Sequence, residues 1–264
     1  MAGRHREPKV LNVNANGQAS SSRASFRAWL VLGFRMTLPK EWVWGLTRRT
    51  ALVGPQTWRS PMNIAICGAG PFGRNLGALL SLAGHQIVFG VRSPPATSAE
   101  HPGIDVFHFA ESIARSEVIV LAVPGVVAEV PLSASPLAGK IVIDCTNLLN
   151  ADWTPVILEG GQSNAERLQA DFPAARVVKG FNTVFADMLQ REVLEAKPVP
   201  AATFLCGEDA SALSVVAGLA ADIGLNPITV GGLSAARYCE ALAHLHIQIA
   251  TNGGRGTQGG FAYV

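Results

Sequence analysis

Long apolar runs are missing from this 264-residue sequence. None exceeds about seven residues, as at 118–123, far short of the roughly twenty that span a bilayer. No transmembrane helix and no membrane partner are expected. Cysteine is sparse too: Cys67, Cys145, Cys206 and Cys239 are far apart, form no C-x-x-C pair, and mostly sit inside apolar runs. They read as buried thiols in a reducing compartment, which implies a cytoplasmic location. His244 and His246 are two apart, a spacing that puts side chains on different faces of a helix, so no metal site is expected. What is present is a hydrophobic fraction of 48%, ample for a buried core.

A net charge of +2 hides an asymmetry, because residues 1–61 hold ten Lys/Arg against Glu7 and Glu41, leaving the rest net acidic. This segment is rich in Arg and Ser, has no sustained period, and scatters Trp29, Trp42, Trp44 and Trp58. Four readings stand side by side. It is a transit-type leader, or a basic segment that binds nucleic acid or membrane, although no motif supports either and no nucleic-acid partner is expected. Thr47-Arg48-Arg49-Thr50 has a twin-arginine look, but the apolar run after it is short and stopped by Pro55. The fourth reading takes Met62 as the natural start, because a strand begins at the next residue.

From Met62 onward short apolar runs alternate with helical patterns, the mark of βαβ units and a parallel sheet. Strands are predicted at 63–67, 87–91, 104–109, 118–123, 141–145 and 176–181. The first helix puts Phe72, Leu76, Leu79, Leu80 and Ala83 on one stripe and ends at Gly84. The division expected is a basic leader over 1–61, an α/β dinucleotide-binding domain over 62–179, and a small C-terminal α/β domain over 180–264 for substrate and dimerisation. In the last, helix 210–223 ends at Gly224 between strands 203–206 and 228–230. A final helix starts at Ser234 as N-cap and aligns Tyr238, Leu242, Leu245 and Ile249. A Gly-rich tail follows.

Gly68-Ala69-Gly70-Pro71-Phe72-Gly73 is a G-x-G-x-x-G set between a strand and a helix. The first glycine permits the tight turn, the second lets backbone approach a pyrophosphate, and the third lets helix pack on strand. The helix N-terminus then meets the phosphates with free N–H groups and its positive dipole end. In this context the pattern identifies a Rossmann fold. About twenty residues on, where an acid would hold the ribose 2′-hydroxyl of NAD, the second strand ends in Val91-Arg92-Ser93. There is no acid. Arg92 can pair with a 2′-phosphate and Ser93 can add a hydroxyl, through charge-assisted bonds worth about 1.5–3 kcal/mol each, so NADP(H) is the expected cofactor.

The runs ending in Ala122-Val123-Pro124 and at Asp144-Cys145-Thr146-Asn147 read as buried strands whose carboxyl ends open onto the ligand crevice. Ala122, Val123, Pro124 and Asn147 are therefore expected to line the cofactor, together with Pro71, Phe72 and Val91. No His, Lys or Ser forms a recognisable relay around Asp144, which reads as a hydrogen-bonded structural residue. No catalytic acid or base is evident. Direct hydride transfer needs proximity and orientation more than proton transfer.

With these residues in hand, the chain from Met62 onward resembles the NADPH-dependent reductases of the deazaflavin coenzyme F420. Beyond the glycine loop the likeness rests on Gly90-Val91-Arg92, Leu121-Ala122-Val123-Pro124, Ile143-Asp144-Cys145-Thr146-Asn147, Val178-Lys179-Gly180-Phe181-Asn182-Thr183, Cys206-Gly207-Glu208-Asp209 and Gly232-Leu233-Ser234-Ala235-Ala236-Arg237. The resemblance implies hydride exchange between NADPH and the deazaflavin, a homodimer, and an approach of Asn182 and Ser234 to the second substrate. Asn182 can equally tie down a strand exit, and Ser234 can simply cap its helix. Departures from the family pattern are Asn182 where a histidine is common, Val91 where Ser or Thr is common, and Leu148 where Pro is common. The pattern also resembles the cytosolic domain of membrane metalloreductases, but no membrane domain follows in this sequence, so no electron path to a haem is expected. A flavin or other small hydride acceptor, and a non-catalytic NADP sensor or scaffold, are the competing expectations.

Overall fold

The computed structural model describes residues 60–94, 103–123, 132, 136–150, 152–156 and 158–264. The readings of the segment before residue 60, and the expected site residue Pro124, lie outside the described residues.

Eight strands form one sheet in the order β3-β2-β1-β4-β5-β6-β7-β8. They are β1 Asn63–Cys67, β2 Gln86–Val91, β3 Asp105–His108, β4 Val118–Leu121, β5 Ile141–Asp144, β6 Arg176–Lys179, β7 Ala202–Gly207 and β8 Asn226–Gly231. The first six run parallel. Chain order reverses between β1 and β4, and the crevice at that switch point is where a doubly wound sheet takes its ligand.

Alternation of side chains across fully buried strands explains the two layers of helix. Val118 and Val120 of β4 join Ile64, Ile66, Ile141, Ile143 and Val178 in a core shared with Leu76 and Leu80 of α1 (Pro71–Leu82) and with Val216 and Leu219 of α5 (Ala210–Asp222). Ile119 and Leu121 face the other way. They pack with Phe109 and Ile113 of α2 (Phe109–Ala114), Leu168 of α3 (Asn164–Asp171) and Cys239 of α6 (Ala236–Thr251). α4 (Arg191–Glu195) is a short helix whose Leu194 joins the first of these cores.

The expected C-terminal α/β unit exists as β7-α5-β8, but it does not stand apart. β7 pairs antiparallel with β6, placing Val178 opposite Gly207 and Lys179 opposite Cys206, so the boundary drawn at 179 runs through a continuous sheet. The last helix also differs from expectation. Leu233–Ala235 is a 3-10 turn, α6 begins at Ala236, and Ser234 makes no side-chain cap. The predicted stripe faces outward: Tyr238 is 78% exposed and Leu245 53%. The buried side is instead Ala236, Cys239, Glu240, Ala243, His246, Ile247 and Ala250, a row too polar to be found by hydrophobic period.

One helix not predicted from the sequence has a clear local cause. α3 starts with a capping box: the Ser163 hydroxyl accepts from the Glu166 N–H while the Glu166 carboxylate accepts from the Ser163 N–H at 2.8 Å. Glu166 also takes the Arg237 guanidinium at 2.8 Å, which ties α3 to α6 and holds the Glu166 carboxyl down at about 2.

Candidate functional site

A cavity of about 870 Å³ opens at the carboxyl ends of β1, β4 and β5, within the usual size range of ligand sites. One side is the glycine loop, where Gly68, Gly70, Pro71 and Phe72 reach the wall. Gly68 has φ +119 and its place for a Cβ is filled by the Ala122 carbonyl, while a Cβ on Gly73 would strike the Gly68 carbonyl. These two glycines are required by packing. Gly70 is different, with φ −71 and nothing within 4 Å of a Cβ position, so its missing side chain leaves room on the cavity side.

Gly70 is also the N-cap of α1. No side chain caps this helix and no acid lies in its first turn. The Phe72 and Gly73 amides, which have no intrahelical acceptor by helix geometry, are thus left for an anion. Val91 and Arg92 bring the end of β2 to the same cavity. Arg92 is exposed there, and its carbonyl is hydrogen-bonded with His108 Nδ1 at 3.0 Å. Ser93 is exposed and does not reach the wall.

The opposite side comes from the ends of β4 and β5. Ala122, Val123, Cys145 and Asn147 line it, as do Phe109, Leu149, Trp153 and Ala186, which were not singled out in the sequence. Burial pushes the Cys145 thiol upward and the Cys67 thiol up to about 12, so neither is a nucleophile at neutral pH. All four cysteines are free and buried.

Asn182 does not reach the cavity, contrary to the substrate contact implied for it. It is 5% exposed, and stands behind Asn147: its Nδ2 donates to Asn147 Oδ1 at 3.0 Å and to the Cys239 carbonyl at 2.9 Å, while Asn147 Nδ2 donates to the Asn182 carbonyl at 2.7 Å. Phe181 at φ +59 makes the turn that permits this exchange. Ser234 is exposed and outside the cavity.

Beneath the β5 side lies a group of charges that sequence reading did not assemble. Lys179 is wholly buried, with Nζ donating to Asp144 Oδ2 at 3.0 Å, Glu240 Oε1 at 2.8 Å and the Thr146 carbonyl at 2.6 Å. Asp144 also accepts from the Thr146 N–H and hydroxyl at 3.0 and 2.7 Å, and Glu240 from the Asn164 N–H at 3.0 Å. Burial opposes the Lys179 charge, but the two carboxylates outweigh it and raise its pKa. Asp144 is thus the hydrogen-bonded residue that the sequence suggests, with Lys179 as a partner that the sequence did not indicate. The charges hold Cys145, Thr146 and Asn147 in place from below.

Comparison with known proteins places this geometry in a family. Residues 63–148 match the model described as NADP oxidoreductase, coenzyme F420-dependent. A solved structure, a candidate F420-dependent NADP reductase from Arthrobacter sp. FB24, is 30% identical and superposes with a TM-score of 0.67 over 77% of this chain and 99% of its own. The chain belongs to this family of NADP oxidoreductases. Metalloreductase STEAP3 of Rattus norvegicus is 33% identical over 181 residues, 68% of this chain. The NADP oxidoreductase chain spans about a third, 36%, of the length of that curated relative. A reductive aminase from Aspergillus terreus in complex with NADPH and ethyl levulinate, 22% identical with a TM-score of 0.55 over 74% of this chain and 64% of its own, shares the fold. Among the described residues of this family member no helix is long and apolar enough to cross a membrane, and no three His, Cys, Asp or Glu are placed to hold a metal.

Proposed function

We propose that this oxidoreductase binds NADP(H) along the glycine loop and exchanges a hydride with a planar acceptor of the deazaflavin type, coenzyme F420. The observation that carries the reading is the joint opening of Gly70, the uncapped first turn of α1 and Arg92 into one cavity that continues to the ends of β4 and β5. The cavity fits the cofactor. Gly68, Gly70 and the first-turn amides would take the pyrophosphate, and Arg92 the 2′-phosphate. Bound NADPH would supply the hydride and leave as NADP+, with the reduced acceptor completing its balance with one proton from water.

The chain's own part is orientation and exclusion of water. Ala122, Val123, Leu149 and Ala186 give the far side an apolar wall. Asn147 is held by both its polar atoms against Asn182, and each still has one hydrogen-bonding position to offer a ligand. Among the described wall residues Arg92 carries the formal charge, so proximity and orientation of two rings, worth many powers of ten when well aligned, supply the rate.

A second reading takes flavin or another small acceptor, and the identity to a protein named a metalloreductase puts a ferric ion among these acceptors. Steady-state assays of the full chain with NADPH against coenzyme F420, flavin mononucleotide and ferric citrate separate the readings. Turnover with coenzyme F420 alone supports the proposal; turnover with flavin or ferric citrate and not with coenzyme F420 supports the second. Tight NADPH binding with none of the three consumed points to another acceptor or to a non-catalytic sensor.

The homodimer implied by the resemblance has a surface to use. α6 buries one face and leaves Tyr238, Leu245 and Ile249 exposed on the other with Leu242 between them. An exposed apolar stripe of this kind ordinarily marks a surface that a partner covers, and a second copy of the same helix presents the same stripe. Light scattering is expected to give a dimer mass for the native chain and a monomer mass for Leu245→Glu. A native monomer overturns this assignment.

A further inference from the structure

The wall beyond β5 contains a feature that the proposed chemistry does not yet use. Trp153 lines the cavity and is 62% exposed, although an indole is among the most favourable groups to bury. Its φ of +67 puts a bulky aromatic in the left-handed region, a conformation that persists only where the surroundings impose it.

The surroundings do impose it. Leu149 and Pro155 form an antiparallel bridge, and the Val156 N–H donates to the Leu148 carbonyl at 2.9 Å. Inside that bridge the Asn150 N–H donates to the Thr154 carbonyl at 2.8 Å and the Trp153 N–H to the Asn150 carbonyl at 3.0 Å. The Thr154 hydroxyl and N–H both donate to Asp152 Oδ1, at 2.6 and 3.1 Å. Asn150 Nδ2 donates to the Thr154 hydroxyl at 2.9 Å. A tight, hydrogen-bonded turn therefore holds an indole out of the core and against an open cavity.

Position decides what the indole is for. The dinucleotide half nearest β2 is served by Val91 and Arg92, whereas Trp153 follows β5 and shares its wall with Cys145, Asn147 and Leu149. We infer that Trp153 is the stacking platform for the acceptor, which makes the second substrate a planar conjugated ring rather than a small aliphatic carbonyl. Base or ring stacking on an exposed indole tolerates many ring types, so the platform selects for planarity and leaves finer choice to the rim. This inference rests on the hydride-transfer reading of the same cavity.

The test uses the full chain and three variants, Trp153→Phe, Trp153→Ala and Trp153→Gly, with 5-deazariboflavin as the probe ring. KM for the probe is expected to rise about tenfold in the Ala and Gly variants and to recover largely in Phe, while the Kd for NADPH stays within about twofold. Glycine relieves the left-handed strain, so the Gly variant is also expected to melt no lower than the native chain. A purely structural tryptophan would lower the melting temperature and disturb NADPH binding instead, which overturns the inference. Equal KM in all four proteins overturns it as well. If the native chain reduces no probe, the hydride-transfer reading fails, and equilibrium binding decides the platform. Binding to the native chain lost in Trp153→Gly upholds it; equal binding, or no binding to the native chain, overturns it.

Discussion

Lys179→Met is expected to cost about 3–5 kcal/mol of folding stability, because it strands two carboxylates in the interior without their shared cation. The lysine is wholly buried and meets Asp144, Glu240 and the Thr146 carbonyl within 3.0 Å. In a domain of this size that loss lowers the melting temperature by about 10 °C. Glu240→Gln is the companion measurement. Burial already raises the Glu240 pKa, and the amide oxygen can still accept from Lys179 and the Asn164 N–H, so a loss of about 1 kcal/mol or less is expected. Urea unfolding of both variants checks the pair. A loss in Lys179→Met as small as that expected for Glu240→Gln would show that the interior does not require a cation at this place.

The second large effect concerns the cofactor, and two variants divide it. Arg92→Ala is expected to weaken NADPH by roughly ten- to a hundredfold, the equivalent of about 1.5–3 kcal/mol for a charge-assisted bond, and to leave NADH nearly untouched. Gly70→Ala should weaken NADPH and NADH alike, since both carry the pyrophosphate that approaches this backbone. Its stability should be kept or slightly raised, because φ −71 suits alanine and nothing within 4 Å obstructs a Cβ. Isothermal titration with both nucleotides reads the two effects. If Arg92→Ala lowers both affinities equally, Arg92 does not read the 2′-phosphate. If Gly70→Ala binds as the native chain does, the space at Gly70 is not where the pyrophosphate lies.

The sheet was legible because its strands are short apolar runs separated by turns, and all eight expected strands are present within a few residues of their bounds. The glycine loop was legible because three glycines have three different backbone reasons to be there. The buried charges were not. Asp144, Lys179 and Glu240 are 35 and 61 residues apart in sequence, and sheet pairing plus the docking of α6 brings them within hydrogen-bonding reach. Nothing local announces such a contact.

Other misses had signals that were passed over. Ser163-Asn164-Ala165-Glu166 is a capping box in plain sequence, and it does start α3. Asp152-Trp153-Thr154-Pro155 carries turn chemistry on both sides of an aromatic, which could have marked Trp153 as a presented residue. The assignment of Ser234 as a cap failed because a 3-10 turn intervenes before α6. The outward stripe of α6 was mistaken for a core stripe because its true inner face is built from Ala, Cys, His and Glu.

The most direct test of hydride transfer is the fate of the nicotinamide C4 hydrogen. NADPH deuterated at both C4 positions is incubated with the full chain and coenzyme F420, and the reduced deazaflavin is weighed by mass spectrometry. Transfer through the proposed cavity predicts one retained deuterium, a gain of about one mass unit, since the receiving atom is a carbon that does not exchange with water. Reduced product without the label, or no reduced product at all, would contradict the account.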